Sequence, residues 1–219
     1  MAVPRIALIH ALRNSIAPAM AAFARSWPEA RISNLLDDSL SADLARDGML
    51  TEAMTERFLA LARYARGTGA DGLLFTCSAF GPCIEACART LAPLPVLKPN
   101  EAMIEAALAE AGPHGRIGLI ATFAPTLATM PAEFRAEAPC VRIETALATE
   151  ALARLEAGDG AGHDAAAAQA GESLRGCDVV ALAQFSLARA APAVAAATGR
   201  SVLTTPDSAV AKLRRLLAA

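Results

Sequence analysis

The residue with the clearest chemical potential in this chain is Cys77. It directly follows the apolar run Leu73–Phe75, which is typical of a buried strand, and it precedes a predicted helix, Pro82–Leu91. A free cysteine has a pKa near ~8.5, and the N-terminus of a helix favours negative charge. We therefore expect a depressed pKa at Cys77 and a thiolate that serves as a nucleophile or proton-transfer group. The alternative is a structural cysteine, which is common in protein cores.

Other candidate site residues, most of them polar, follow strand-like runs in the same way. They are His10, Asn14 and Ser15 after Ile9, Ser78 and Ala79 after Cys77, Thr122 and Thr126 after Ile120, and Gln184, Phe185 and Ser186 after Leu182. Ligands of parallel α/β proteins bind beyond the carboxyl ends of the strands, so this group is the candidate substrate-binding set. His10 is either a general acid/base or anion-binding residue, or a side chain that only hydrogen-bonds a loop.

An internal repeat relates the two halves of the chain. Arg5–Ile9 (RIALI) matches Arg116–Ile120 (RIGLI), and the same spacing of 111 residues pairs Phe23 with Phe134. A spacing of 107 residues pairs Asp71 with Asp178 further on. A nearly constant spacing over several elements indicates an ancestral duplication. The same spacing makes Gln184 the counterpart of Cys77.

Short apolar runs alternate with longer helical patterns in both halves, which is typical of βαβ units with a parallel sheet covered on both faces. We predict an α/β fold of two pseudo-symmetric parallel-sheet halves, duplicated four-strand units with a cleft between them. The expected domains are a first lobe, residues 1–99, a second lobe, 100–206, and a C-terminal helix, 207–219, packing back on the first lobe. After the second strand, the pattern predicts a polar loop at 37–39 and no element over 40–50.

Composition excludes several classes of function. Aromatic residues make up 4% of the chain and the net charge is −2, without a basic stripe, so we expect no nucleic-acid partner. The apolar runs are too short for a signal sequence or a membrane span, so we expect a cytoplasmic protein without a membrane partner. The chain has 5 cysteines, and this odd number argues against a disulfide framework. Cys83 and Cys87 lie one helical turn apart but lack further ligands, so we expect no metal.

Taken together, the turn Thr76–Ser78, the turn Ala183–Leu187, the Ala121-Thr122 turn with Thr126, and the His10 to Ser15 turn resemble the aspartate/glutamate/hydantoin racemase superfamily. That superfamily also includes maleate isomerase and arylmalonate decarboxylase. The likeness runs over nearly the whole chain through the duplicated architecture. It implies a cofactor-free site that binds a small carboxylic acid, in which cysteine adds or removes a proton at the carbon next to the carboxylate.

By position, the resemblance makes Cys77 the catalytic cysteine of the first lobe. Ser78 and Thr122 would bind carboxylate oxygens, together with Ser15, Thr126 and Ser186, and would stabilise an enediolate-like transition state. The chain departs from the racemase pattern at Gln184, which replaces the second cysteine. Because an amide cannot titrate, this departure puts two-base racemisation in doubt.

Three functions stay open at this point. The first is a single-cysteine isomerase of the racemase type acting on an amino acid, a hydantoin or a related acid. The second is a decarboxylase or other carbon–carbon lyase, and the third is a binding protein for small acids without turnover. Beyond Arg13 and Lys98, no Arg or Lys is evident at the strand-end turns of the sequence. This lack of positive charge weakens the case for a dicarboxylate substrate. A homodimer is the usual state of small enzymes, and a higher homo-oligomer is the alternative.

Overall fold

The computed structural model describes residues 3–218. The chain divides into two compact units, each with its own sheet. Unit 1 combines the chain up to Ala102 with the segment from Ala209 onward, and unit 2 is Met103–Ser208. The chain passes from one unit to the other within two helices, α5 (Glu101–Ala111) and α10 (Thr205–Ala218).

Unit 1 is built on a four-stranded parallel sheet in the order β2-β1-β3-β4. Its elements are β1 (Arg5–His10), α1 (Ile16–Ser26), β2 (Arg31–Leu36), α2 (Ser39–Asp47), α3 (Glu52–Gly67), β3 (Gly72–Phe75), α4 (Gly81–Leu91) and β4 (Val96–Leu97). The central strands β1 and β3 carry almost only buried residues, as expected for a sheet covered on both faces.

Unit 2 repeats this plan with a parallel sheet in the order β6-β5-β7-β8. Its elements are β5 (Arg116–Ala121), α6 (Ala124–Glu137), β6 (Arg142–Leu147), α7 (Thr149–Glu156), α8 (Gly160–Gly171), β7 (Val179–Leu182), α9 (Ala191–Thr198) and β8 (Ser201–Thr204). One hydrophobic cluster contains Ile117 and Phe134 and a second contains Leu182 and Val194. None of the helices within residues 3–218 is long and apolar enough to cross a membrane.

The prediction of two duplicated parallel α/β halves is confirmed. The two sheets have equivalent strand orders, and an aspartate at the same position of each repeat binds the start of the first strand. Asp71 accepts a 2.8 Å hydrogen bond from the backbone N–H of Arg5, and Asp178 accepts one of the same length from Arg116. The repeated letters in the sequence therefore mark repeated structural roles.

The segment after β2 differs from the prediction, because residues 39–47 form helix α2 where the sequence pattern assigned no element. Leu40 is the one fully buried residue of this helix, and it packs in the core of unit 1 together with the half-buried Leu44. The Arg57 guanidinium of α3 also binds Asp37, at 2.6 Å, and Asp43. The short helix is thus fixed by contacts with other elements, which the local sequence pattern does not show. Gly48 ends the helix with a φ of +69°, a conformation that favours glycine.

An aromatic cluster fixes the turn that carries Cys77. Phe75 ends β3 and Phe80 ends the short 3₁₀ turn Ser78–Phe80, and both are buried. The ring of Phe58 on α3 lies 5.4 Å from the ring of Phe75 and 4.8 Å from that of Phe80, measured between centroids. Because both ends of the turn pack on one ring, the intervening residues Thr76 to Ala79 are positioned by the core of unit 1.

Candidate active site

Cys77 lies directly beyond the carboxyl end of β3 in unit 1, as the sequence predicts. It is half-buried, and the backbone N–H of Ala79 donates a hydrogen bond to its sulfur. The other four cysteines differ from it in exposure: Cys83, Cys87 and Cys177 are fully buried, and Cys140 is exposed. Cys77 is therefore the one free thiol that combines partial access with a backbone donor.

The predicted depression of the Cys77 pKa is wrong in direction. Burial raises the pKa of the Cys77 thiol above its ordinary value, and the Ala79 N–H offsets only part of this effect. The helix α4 begins only at Gly81, after the 3₁₀ turn, so its N-terminus does not follow Cys77 directly. In the free protein at neutral pH, Cys77 is a protonated thiol and thus a proton donor.

A buried polar network lies at the ends of β1 and β3, and it includes Thr76, the residue before Cys77. His10 is the last residue of β1 and is fully buried. Its Nδ1 lies 2.9 Å from the Thr76 hydroxyl and 3.3 Å from the Ser15 hydroxyl, and its Nε2 lies 2.9 Å from Asn34 Oδ1. The strand register explains why His10 and Thr76 lie close together. Ile9 pairs with Phe75, and His10 and Thr76 are the next residues of these neighbouring strands.

The hydrogen bonds define the state of His10. Asn34 Oδ1 is an acceptor, so in this amide orientation Nε2 of His10 carries the hydrogen and Nδ1 is an acceptor that faces the hydroxyls of Thr76 and Ser15. The Thr76 hydroxyl also lies 2.9 Å from the Ser15 hydroxyl, to which it can donate. Burial lowers the pKa of His10, opposed by the hydrogen bond to Asn34, so His10 is neutral at pH 7.

In unit 2 the equivalent strand ends hold a different arrangement. Gln184 lies just beyond β7, and its Oε1 accepts two hydrogen bonds from Thr122, one from the backbone N–H at 2.6 Å and one from the hydroxyl at 2.9 Å. Thr122 is buried and Gln184 is half-buried. Both donors of Thr122, a residue that the resemblance assigned to the substrate carboxylate, are thus engaged by the side chain of Gln184.

The remaining predicted binding residues divide by exposure. Ser15 is buried, and its hydroxyl donates to the carbonyl of Leu12 at 2.7 Å, whereas Phe185 is 5% exposed in the turn after Gln184. A second group combines some accessibility with side chains that make no hydrogen bond to other described residues: Asn14, Ser78, Thr126 and Ser186. Ala79 is exposed and contributes its N–H to Cys77. The hydroxyl of Ser78 is the free side-chain donor closest in sequence to Cys77.

Two network members, Thr76 and Asn34, were not among the binding residues assigned from the sequence. Thr76 was read only as part of the Cys77 turn, and Asn34 is a polar residue within β2. In the pairing of β1 with β2, Asn34 lies opposite Leu8, two residues before His10. This register could have indicated Asn34 as a partner of His10.

The cations near the strand ends are held by carboxylates. Arg13 and Asp38 form an ion pair of 2.8 Å, and Lys98 and Glu85 form another of the same length. Across residues 3–218, no three His, Cys, Asp or Glu side chains are grouped so that they could hold a metal ion. The local chemistry therefore rests on a thiol, hydroxyls, amides and a neutral imidazole.

These features define a class of protein: a duplicated parallel α/β chain with a thiol and small polar residues at the carboxyl ends of its strands. The chain belongs to the Asp/Glu/hydantoin racemase family, whose model matches residues 15–213. A search of curated protein sequences returned no match.

Solved structures share the fold over nearly the whole chain. Allantoin racemase from Klebsiella pneumoniae superposes with a TM-score of 0.72 at 20% identity, covering 99% of this chain and 88% of that one. Glutamate racemase from Francisella tularensis subsp. tularensis, in complex with D-glutamate, gives 0.69 at 14% identity, with coverages of 98% and 81%. Unliganded arylmalonate decarboxylase gives 0.63 at 19% identity, with coverages of 98% and 93%. The family and these neighbours support a racemase/isomerase-type enzyme.

Proposed function

We propose that the protein is a cofactor-independent isomerase of the racemase type, in which Cys77 moves a proton at the carbon next to the carboxylate of a small acid. The observation that carries the proposal is the setting of Cys77: a half-buried thiol at a strand end, hydrogen-bonded by the Ala79 N–H, in a chain of the racemase family. The neighbouring Ser78 hydroxyl is free to bind a carboxylate oxygen.

The proposed step balances as a proton transfer. The C–H bond next to the carboxylate breaks, its proton passes to the Cys77 thiolate, and the electron pair moves into an enediolate-like anion. Hydrogen-bond donors such as Ser78 stabilise the charge that develops on the carboxylate oxygens. The carbon then takes up one proton: from the Cys77 thiol, which restores the starting configuration, or from water on the opposite face, which inverts it and leaves the thiol to give its proton to solvent. The thiolate that begins the step forms when the resting thiol loses its proton to solvent.

A second candidate, a decarboxylase, is favoured by one specific observation. Burial raises the pKa of Cys77, so the resting group is a thiol. In a decarboxylation, the bond from carbon to carboxylate breaks, CO₂ leaves, and the electron pair stays on carbon. The Cys77 thiol then protonates that carbon, and the resulting thiolate regains a proton from water.

The deciding experiment is proton NMR of the protein with a panel of small carboxylic acids in D₂O. Loss of the signal of the hydrogen next to the carboxylate, without loss of substrate, supports the isomerase. Release of CO₂ with a deuterated product supports the decarboxylase. Thermal stabilisation by an acid, with neither reaction, overturns both in favour of a binding protein.

Matched variants test the role of Cys77 in the same assay. We expect Cys77→Ser to lower the rate by roughly 10²–10⁴-fold, the usual contribution of a general acid/base group. Cys140→Ser is the control, because Cys140 is an exposed thiol outside the strand-end turns. Equal rates for Cys77→Ser and wild type would refute a catalytic thiol.

A further inference from the structure

The strand ends of unit 2 hold a pair of hydrogen-bond donors that is already occupied. The N–H and hydroxyl of Thr122 converge on one atom, Gln184 Oε1, at 2.6 and 2.9 Å. Two convergent donors from a buried residue form the arrangement that binds an anionic oxygen, as in an oxyanion hole. In this chain the bound oxygen belongs to a neutral amide of the protein itself.

We infer that Gln184 is a specificity-determining residue: its side-chain carbonyl blocks the Thr122 donor pair against carboxylates, and its amide group offers the substrate a donor for a neutral oxygen instead. The inference rests on the proposed function only in treating Gln184 as a residue that faces the substrate. The ligand class that follows for unit 2 is a carbonyl or hydroxyl oxygen, not a second carboxylate.

The backbone explains why the Thr122 donors are available to Gln184. The strand β5 ends at Ala121 and the helix α6 begins at Ala124, so the N–H of Thr122 belongs to neither element. Ile120 pairs with Leu182 in the sheet, and Thr122 and Gln184 each lie two residues further along. The register therefore brings the glutamine side chain to the donors.

The other end of the glutamine amide is unused. With Oε1 engaged by Thr122, the Nε2 group retains two N–H donors, and it donates to no acceptor among the described residues. An amide held by its oxygen is thus fixed in orientation with two N–H donors free for an oxygen of a ligand, but it carries no positive charge that would offset the cost of burying a carboxylate.

The charge around Gln184 does not compensate for the loss of the donor pair. The basic residue of the following turn is Arg189, and its guanidinium binds the carboxylate of Asp164 at 2.9 and 3.2 Å. A carboxylate entering here would have to break both hydrogen bonds of Gln184 without help from this cation.

The test is a titration of the Thr122 amide by two-dimensional ¹⁵N–¹H NMR on the full chain, with sodium formate as the carboxylate probe. Sodium chloride at equal ionic strength is the salt control. We expect Gln184→Ala to bind formate roughly tenfold or more tightly than wild type, because two competing neutral hydrogen bonds are removed. Gln184→Met keeps the side-chain volume without the carbonyl, and we expect the same gain should the alanine variant fail to fold.

A second substitution locates the effect. Adding Thr122→Val to either variant removes the hydroxyl donor, and we expect most of the gained formate affinity to be lost. Equal formate affinity in wild type and Gln184→Ala, or a gain that survives Thr122→Val, would overturn the inference. Because the readout is an amide resonance and not turnover, an inactive protein would count against the proposed function while leaving this result intact.

Discussion

The reactivity of Cys77 toward iodoacetamide should rise with pH far beyond neutrality. Only the thiolate reacts, and a thiol at the ordinary cysteine pKa of ~8.5 is about 3% ionised at pH 7. Burial raises the pKa of Cys77 above its ordinary value, so its ionised fraction at pH 7 lies below about 3%. The alkylation rate should therefore increase about tenfold per pH unit from pH 6 to 8 and should still be rising at pH 9.

The assay is mass-spectrometric mapping of alkylated peptides after timed labelling of the folded protein. Cys140 is the internal reference for an exposed thiol, and Cys77 should react more slowly than Cys140 at pH 7. Cys87 and Cys177 should be labelled far more slowly than Cys77 at each pH, because both side chains are fully buried and burial raises the pKa of each to about 11. A Cys77 rate that levels off below pH 8 would refute the reasoning, because it would require a stabilised thiolate in the free protein.

This measurement also bears on the choice between the two proposed reactions. A resting thiol is ready to donate a proton to a carbanion, whereas an isomerase must first ionise it to accept one. A substrate acid that binds at Ser78 should slow labelling of Cys77 at every pH, since it covers the sulfur. Protection at high pH combined with a lowered apparent pKa would show that the bound acid itself changes the environment of the thiol.

Three substitutions should lower the free energy of unfolding, measured by denaturation in urea. His10→Phe should cost about 1–3 kcal/mol because it removes the buried hydrogen bonds of the ring, and a loss below about 0.5 kcal/mol would contradict the network. Phe58→Ala should cost about 3–5 kcal/mol and also speed labelling of Cys77; unchanged labelling would show that the aromatic cluster does not fix the turn. Gly118→Ala should cost about 1–3 kcal/mol, because its new methyl group would lie 3.0 Å from the Leu174 side chain. The control Gly67→Ala meets no atom within 4 Å and should stay within about 0.5 kcal/mol of wild type, and equal effects of the two glycine variants would contradict the packing argument.

The sequence allowed the fold to be predicted because its information is periodic and repeated. Buried central strands are continuous apolar runs, and the 111-residue spacing between Arg5 and Arg116 predicts that unit 2 repeats unit 1. The position of Cys77 at a strand end followed from the same pattern. The helix α2 escaped prediction because its short segment is fixed by contacts with other elements, through Leu40 in the core and the ion pairs with Arg57.

The chemistry at the strand ends was less predictable because it depends on burial and side-chain direction. The residues around Cys77 suggested stabilisation of a thiolate by a helix, but the opposing cost of burial is a property of the folded core. The hydrogen bonds of Gln184 to Thr122 likewise follow from strand register combined with side-chain direction. Neither can be read from residue types alone.

The two halves share a scaffold but differ in the groups that can exchange protons. Equivalent positions in unit 1 and unit 2 are, in pairs, His10 and Ala121, Thr76 and Ala183, and Cys77 and Gln184. At these positions unit 1 carries the titratable groups, whereas unit 2 carries a neutral amide that Thr122 holds in place. Under the proposed function, unit 2 thus supplies no proton donor or acceptor from these positions to the substrate carbon. A chain with this division is better suited to exchange or protonation on a single face than to rapid racemisation, which needs an acid and a base on opposite faces.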